Sequence, residues 1–237
     1  MLSCECKSLE YCPLFIQVSL FNLKHIRHPG SFFFKKTIPI HRSLRIRRNT
    51  NMKLEQIIKE RRSIKRFKDQ PVPLETIQSL LETSTWAPNH KMTQPWRFVV
   101  VHGDSRVKLA EATRAFMAGK EKDPSKKKEA GQRGYNKLNG VPMFVAVIME
   151  ENPNLMTREE DYAATSALIQ NFSLLAWEQG IGMIWETYGM IHSQEFREAL
   201  GVKPGEKIVG SLHVGYPDMI PTPRPRTPID ELLTIMD

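Results

Sequence analysis

The amino-acid sequence predicts an α+β fold with a mixed sheet flanked by helices. Helical and strand-like apolar patterns follow one another without strict βαβ alternation, which favours α+β over α/β. The 237 residues can bury one sizeable core, and the hydrophobic and charged contents, 41% and 25%, are those of a globular protein. No run approaches the roughly 18 apolar residues that span a bilayer, so no membrane partner is expected.

The first 51 residues differ in composition from the rest of the chain. They hold nine Lys or Arg, two Glu and all three cysteines, whereas the other 186 residues hold 25 basic and 24 acidic groups. The net charge of +8 therefore belongs to this segment, and no nucleic-acid partner is expected for the remainder. We interpret residues 1–51 as a disordered or non-native extension, with a mitochondrial or plastid transit peptide as the alternative. Residues 52–237 form the predicted domain, whose lack of cysteine agrees with the cytoplasmic location that we expect.

The first part of this domain is predicted to be mainly helical. Residues 54–58 have helical spacing, and a second apolar helix face follows Pro73, a residue suited to a first helical position. Residues 98–101 predict a buried strand. Asp104 is then placed to cap a third helix that reaches about Met117.

The central part of the chain predicts a loop, a strand and a long helix. Residues 119–129 are polar and rich in lysine, which is typical of a solvated loop or frayed helix, although a lid over a ligand site is an alternative. Residues 143–149 predict a second strand. The pattern Thr157-x-x-Glu160 resembles a capping box, and the helix that follows is apolar nearly all round until Gly180. Such a helix is expected to be buried in the domain or in a dimer interface.

The last part of the chain predicts two further strands and an extended tail. Residues 181–186 form the first of these strands. Ser193 should cap a short helix, and residues 207–214 form the last strand of the core. Five prolines from Pro217 onward predict a tail that is extended rather than folded on itself.

The common signatures of enzyme active sites are absent from the sequence. No dinucleotide-binding glycine pattern, Walker lysine loop, H-E-x-x-H or G-x-S-x-G is present, and the histidines are scattered. Neither a catalytic nucleophile nor a metal site is therefore predicted. An enzyme of this kind would take its reactivity from an organic cofactor.

Four segments carry side chains that suit such a cofactor. Residues 61–67 place four cations and a hydroxyl at a helix end, where guanidiniums can bind phosphate. Residues 86–96 offer flat rings and amides for a planar heterocycle, and two glycines in residues 180–187 permit close approach of backbone to ligand. The tail adds arginines within residues 224–228. Taken singly, each segment also fits a plainer interpretation: a solvated basic patch, a packed loop, a helix-to-strand turn or a basic tail.

Together and in this order, the four segments resemble the nitroreductase family, over essentially residues 52–237. The specific motifs are Arg61-Arg62-Ser63, residues 87–91 (Ala-Pro-Asn-His-Lys) and residues 94–96 (Gln-Pro-Trp), and the second of these is similar to a branch of small single-domain NAD(P)H nitroreductases. The resemblance implies a homodimeric fold with two FMN molecules at the interface. Each subunit would contribute to both sites, and the C-terminal tail would wrap around the partner.

The resemblance also implies roles for individual residues near the FMN phosphate and pyrimidine ring. Arg61, Arg62 and Ser63 would bind the phosphate and ribityl oxygens. Arg226, with Arg224, would complete the phosphate site. In addition, Lys65 would lie near the pyrimidine edge, where a cation stabilises the negative charge that develops on reduction.

Further contacts are implied along the flavin ring. Trp86 and His90 would reach FMN from the other subunit, with Gln94 as a neighbour. The ring would be lined by Trp185, Glu186 and Thr187. Glu186 departs from the family pattern, since related sequences can carry a neutral or basic residue at this position. An acid beside reduced flavin opposes its negative charge unless the acid points away or pairs with a cation.

The function implied is an FMN-dependent oxidoreductase that passes hydride from NADH or NADPH through the flavin to a nitroaromatic, a quinone or a similar acceptor. A ping-pong mechanism is expected, in which no side chain acts as nucleophile or general base. One alternative is an FMN-binding store or sensor without redox turnover. Another is nucleic-acid binding by residues 1–51. Relatives of this fold also perform dehalogenation, flavin fragmentation and ring dehydrogenation, which sequence patterns alone do not exclude.

Overall fold

The computed structural model describes residues 53–236, and the predicted extension at residues 1–51 lies outside this range. The described part of the chain contains helices and strands in irregular order, so the predicted α+β class is confirmed. Helices and strands occur in the following order: α1 (Leu54–Glu60), α2 (Leu74–Ser84), β1 (Trp96–His102), α3 (Arg106–Lys120), α4 (Lys127–Asn139), β2 (Met143–Glu150), α5 (Leu155–Glu178), β3 (Gly182–Glu186), α6 (Gln194–Ala199) and β4 (Glu206–Gly215).

The four strands form one antiparallel sheet in the order β1-β2-β4-β3. The central pair, β2 and β4, is in register from Met143 opposite Val214 to Glu150 opposite Glu206, with a shift after Val147. The sequence predicted a mixed sheet, but all four strands pair antiparallel. Within residues 53–236, the one parallel pairing is an isolated bridge between Ser63 and Met183.

Each face of the sheet is covered by helices. Strand side chains alternate between the faces with a period of two, so neighbouring residues of β2 enter different cores. Val145 packs with Leu168 and Phe172 of α5 on one face. On the other face, Phe144 packs among residues of α3, α4 and α6, including Leu109. Full burial of each such side chain contributes about 1.5–3 kcal/mol to the hydrophobic driving force.

Helix α5 begins earlier than its predicted capping box. The predicted start was Thr157, but Asn154 is the N-cap, and its Oδ1 accepts a hydrogen bond from the Thr157 backbone N–H at 3.1 Å. The capping-box prediction was therefore wrong by three residues. The predicted end is confirmed, because Gly180 follows the helix with a φ of +73°, a conformation that glycine adopts without steric cost.

The stretch at residues 119–129 is more helical than predicted. Helix α3 runs to Lys120, and α4 starts at Lys127, so only a short link separates them. The two helices pack closely at Gly134, where an added Cβ would lie 2.8 Å from Met117 Cγ. The cap predicted at Asp104 was also wrong, because this residue lies in a 3₁₀ turn and α3 begins at Arg106.

The cap predicted for the short helix α6 is confirmed, whereas Pro73, predicted at a first helical position, is the N-cap of α2. Ser193 Oγ accepts a hydrogen bond from the Phe196 backbone N–H at 3.3 Å and caps α6. Residues 219–228 form neither helix nor strand, as predicted for an extended tail, but residues Ile229–Glu231 form a 3₁₀ turn. Within the described range, no helix is both long enough and apolar enough to cross a membrane.

Candidate functional site

The first predicted motif lies against the edge of the sheet formed by β3. The Ile64 backbone N–H donates to the Met183 carbonyl at 3.0 Å, and the Lys68 N–H donates to the Tyr216 carbonyl at 2.9 Å. Ile64 is fully buried and fills the space beside Gly182, where an added Cβ would lie 2.5 Å from Ile64 Cγ1. This close packing fixes the backbone of the motif, while Ser63 and Lys65 remain exposed to solvent.

Three predicted phosphate ligands form a cluster of positive charge. Burial lowers the pKa of Arg61, and the neighbouring guanidiniums of Arg62 and Arg226 lower it further. The structure therefore brings the arginine of the tail towards the motif at the end of α1. Among residues 53–236, none of these three arginines forms a salt bridge with an acidic side chain.

The Arg62 side chain also caps the C-terminus of α1. Its Nη1 donates to the carbonyls of Lys59 and Arg61 at 2.6 and 2.7 Å, which satisfies carbonyls at a helix C-terminus. Its Nε is buried and has no partner among the described residues. The neighbouring predicted ligand, Arg224, is exposed, and its carbonyl accepts a hydrogen bond from Arg226 Nη1 at 3.0 Å.

The second predicted motif has a strained backbone. Lys91, Met92 and Gln94 have φ values of 50°, 55° and 43°, in the left-handed region that non-glycine residues seldom adopt. The loop is held by side-chain contacts: Asn89 Oδ1 accepts from the Gln94 N–H at 3.1 Å, and Thr93 Oγ1 donates to Asp161 Oδ1 at 2.7 Å. Strain that is maintained by surrounding contacts is typical of functional loops.

The side chains predicted to reach the partner subunit's FMN point outward from this loop. Trp86 is 87% exposed, which is unusual for so large an apolar side chain. His90 Nδ1 lies 3.2 Å from Glu160 Oε1 of α5, and Gln94 is exposed. Across residues 53–236, no hydrogen bond or ion pair joins this loop to the arginine cluster.

The third predicted motif lies at the end of β3, where adjacent side chains point to opposite faces of the sheet. Trp185 Nε1 donates to the Val209 carbonyl at 3.0 Å on the face covered by α5. Glu186 is buried on the other face, and Thr187 is exposed. The Glu186 carboxylate lies 3.8 Å from Lys137 Nζ of α4. This acid therefore has a cation partner, one of the two conditions under which its charge would not oppose a reduced flavin.

Lys137 is a residue that sequence reasoning missed, because α4 itself was not predicted. Its Nζ also lies 4.2 Å from the centre of the Tyr188 ring. Burial lowers the pKa of His213 to about 3, with a further contribution from the charge of Lys137. Nothing in the local sequence around Lys137 marks it, since its contacts come from β3 and β4.

The chain matches the model of a known family. Residues 58–216 match the nitroreductase family model, which is more than half of the chain. The chain therefore belongs to the nitroreductase family, and the resemblance drawn from the four segments is confirmed.

Relatives and solved structures agree with this assignment. The Bacillus subtilis protein named "Putative NAD(P)H nitroreductase YfhC" is 41% identical over 184 residues, which are 77% of this chain and 94% of that protein. The crystal structure of a nitroreductase-like family protein from Bacillus cereus is 38% identical, with a TM-score of 0.71 and coverage of 79% of this chain and 97% of that chain. A structure from Desulfovibrio desulfuricans, described as "a putative nitroreductase in complex with FMN", is 25% identical, with a TM-score of 0.61 and coverage of 79% and 98%.

Proposed function

We propose that this chain is an FMN-dependent oxidoreductase that uses NADH or NADPH to reduce an organic acceptor, such as a nitroaromatic or a quinone. The observation that carries the proposal is the cluster of Arg61, Arg62 and Arg226, which holds three positive charges without an acidic partner among the described residues. The names of similar proteins support the choice of cofactors, since one includes NAD(P)H and another includes FMN.

The arginine cluster suits the phosphate of FMN. Like charges held together raise the free energy of the folded chain, and a phosphate dianion would remove that cost. Arg61 and Arg226 would bind the phosphate, with the Ser63 hydroxyl as a further donor. Arg62 would contribute through the part of its guanidinium that the α1 carbonyls leave free.

The other predicted contacts would hold the flavin ring. FMN would supply the capacity to accept a hydride and pass it on. Lys65, exposed beside the arginine motif, would place a positive charge near the pyrimidine edge. Residues 185–187 would position the ring. The Lys137 ammonium would offset the Glu186 carboxylate, so that this acid adds little negative charge to the site.

We also propose that the chain acts as a homodimer. The described residues leave many large apolar side chains exposed, and contiguous patches of such side chains are typical of interaction surfaces. Trp86 is the most exposed aromatic side chain among them. The C-terminal tail carries further exposed apolar side chains: Ile220, Ile229, Leu232, Leu233, Ile235 and Met236. A second copy of the chain would cover these side chains and would bring Trp86 and His90 towards the partner's arginine cluster.

The proposed kinetic mechanism is ping-pong, in which the nicotinamide and the acceptor occupy the same place in turn. The chain needs no nucleophile or general base for this reaction. It would act by orienting the two substrates and by stabilising charge. The proposed location is the cytoplasm.

The experiment that tests the proposal is an absorbance spectrum of the purified chain, followed by anaerobic mixing with NADH and with NADPH. We expect a yellow protein whose visible flavin absorbance is lost with one or both nicotinamides and restored by a nitroaromatic. A colourless protein that does not take up added FMN would contradict the proposal. A yellow protein that neither nicotinamide reduces would instead favour the storage or sensor alternative.

A further inference from the structure

A cleft lies between α3, α4 and the loop that follows β3, with a volume of about 360 Å³. This volume is within the range of small-molecule sites in proteins, about 300–1,000 Å³. Its walls are apolar and come from all three elements: Phe116, Met117, Leu138 and Met190. None of the residues predicted to contact FMN lines this cleft.

The charged side chains around the cleft are all cations. Lys120, Arg133 and Lys137 line it, and no Asp or Glu does. Two of these cations have acidic partners outside the cleft, since Arg133 pairs with Glu129 and Lys137 lies 3.8 Å from Glu186. These two carboxylates reduce the positive potential of the cleft but leave its lining free of negative charge.

Lys120 is the cation best placed to bind a ligand. Its Nζ lies 5.0 Å from the centre of the Phe116 ring, and it forms no salt bridge with any residue in the range 53–236. A cation held over an aromatic ring at the edge of an apolar cleft can bind an anionic group while the ring contacts the ligand's apolar body.

Gly189 keeps part of the cleft open. An added Cβ at this position would lie 3.4 Å from Phe116 Cζ and 3.6 Å from Lys120 Nζ, which are ordinary van der Waals distances. Gly189 does not have a positive φ, so its backbone would accept other residues. A larger side chain here would therefore fill the cleft without straining the chain.

We propose that this cleft binds a small amphipathic anion, namely a carboxylate attached to a flat apolar body of one or two rings. The apolar body would contact Phe116, Met117 and Met190, and the carboxylate would bind Lys120 at the mouth. Charge complementarity favours this class of ligand over a neutral or cationic one, since every charged group that lines the cleft is positive. The proposal does not depend on flavin binding.

The test is a titration of the full chain with naphthalene-2-carboxylate and, in parallel, with its neutral analogue naphthalene-2-carboxamide. We expect the carboxylate to bind up to about fivefold more tightly, because an ion pair with an exposed lysine is worth up to about 1 kcal/mol. Lys120→Met should remove this preference. Lys127→Met, which removes an exposed lysine of α4 that does not line the cleft, should leave it unchanged.

A second variant tests the position of the site. Gly189→Leu should abolish binding of both probes while the far-ultraviolet circular dichroism spectrum stays that of the parent chain. Equal affinity for the two probes, or binding that survives both Lys120→Met and Gly189→Leu, would overturn the proposal. Displacement of bound FMN by the carboxylate would also overturn it, because the cleft would then belong to the flavin site. A chain that binds the carboxylate but not FMN would contradict only the proposed function.

Discussion

Two arginine-containing regions lie near the two ends of β4. In one of them the arginine has a carboxylate partner, and in the other the arginines lie beside one another. Where β4 begins, the Arg97 guanidinium donates from Nε to Glu206 Oε1 at 2.7 Å and from Nη2 to the Gly201 carbonyl at 2.9 Å. This arrangement lowers the pKa of Glu206 to about 2. Beyond the other end of β4, burial lowers the pKa of Arg61, and the charged groups that lower this pKa further within residues 53–236 are the arginines Arg62 and Arg226.

The first region is a contact that stabilises the fold, whereas the second is a group of charges suited to bind an anionic ligand. A bidentate arginine–carboxylate pair is satisfied within the chain. The cluster of Arg61, Arg62 and Arg226 is not, and its like charges disfavour one another until an anion binds. We therefore expect substitutions in the first region to change stability and substitutions in the second to change FMN affinity.

The largest expected effect is the loss of FMN affinity in the double variant Arg61→Ala with Arg62→Ala. Two charge-assisted contacts to phosphate are worth about 3–6 kcal/mol, so affinity should fall by at least about 10²-fold, measured by isothermal titration calorimetry. The matched control is Lys127→Ala with Lys128→Ala, which removes the same charge from an exposed turn of α4. If both double variants bind FMN equally well, the arginine cluster is not the phosphate site.

The next effect is on stability. Arg97→Ala leaves the mostly buried Glu206 carboxylate without its partner, and the free energy of unfolding should fall by about 2–3 kcal/mol in urea titrations. FMN affinity should stay within about twofold of the parent value. A loss of FMN affinity as large as that of the arginine-cluster variant would remove the distinction between the two regions.

The same pair predicts how stability depends on pH. Because the pKa of Glu206 lies below its unfolded value of 4.5, the contribution of the pair is fully present above pH 4.5 and is lost as the pH falls towards 2. Arg97→Ala should therefore show a weaker decline in stability over this interval. An unchanged decline would mean that other groups govern the acid unfolding of the chain.

A second pH effect, at higher pH, is expected from His213, which belongs to neither region. Its pKa is lowered to about 3 by burial, so the unfolded chain binds the proton more tightly and stability should rise with pH between about 3 and 6.5. From pH 7 to pH 5 the loss should be about 1–2 kcal/mol, and His213→Leu should reduce it. A variant whose stability depends on pH as the parent's does would show that His213 is not the cause of this dependence.

The smallest effect distinguishes the two arginines of the tail. Arg226→Ala should weaken FMN binding by about tenfold, the equivalent of 1.4 kcal/mol, because its charge is close enough to lower the pKa of Arg61. Arg224→Ala should have less effect, since Arg224 is exposed and does not act on that pKa. The reverse order of effects would place the phosphate nearer Arg224.

Much of the fold could be predicted because its apolar patterns are strong. Residues 143–149 form an unbroken apolar run and become the buried strand β2, and Ser193 caps α6 as its residue type suggests. Helix α4 was missed because Gly131 and Gly134 are poor helix formers. Both glycines are accommodated by tertiary packing, since an added Cβ at either would lie about 3 Å from α3.

The site was less predictable than the fold. The order of the motifs predicted Arg61, Ser63 and the tail arginines as FMN ligands. That Arg226 comes near Arg61 is seen only in the folded chain. The left-handed backbone at Met92 lies beside a long-range contact, the hydrogen bond from Thr93 to Asp161, which local sequence does not encode. Lys137 was missed for the same reason, because its partner Glu186 lies on a distant strand.

The most direct measurement compares FMN with riboflavin on the parent chain and on the Arg61→Ala, Arg62→Ala variant. Riboflavin lacks the phosphate, so the four affinities form a cycle that isolates the contact between phosphate and arginine cluster. We expect the parent to prefer FMN by at least about 10²-fold and the variant to bind the two flavins within about tenfold of each other. A variant that keeps the parent's full preference for FMN would contradict the assignment of these arginines to the phosphate.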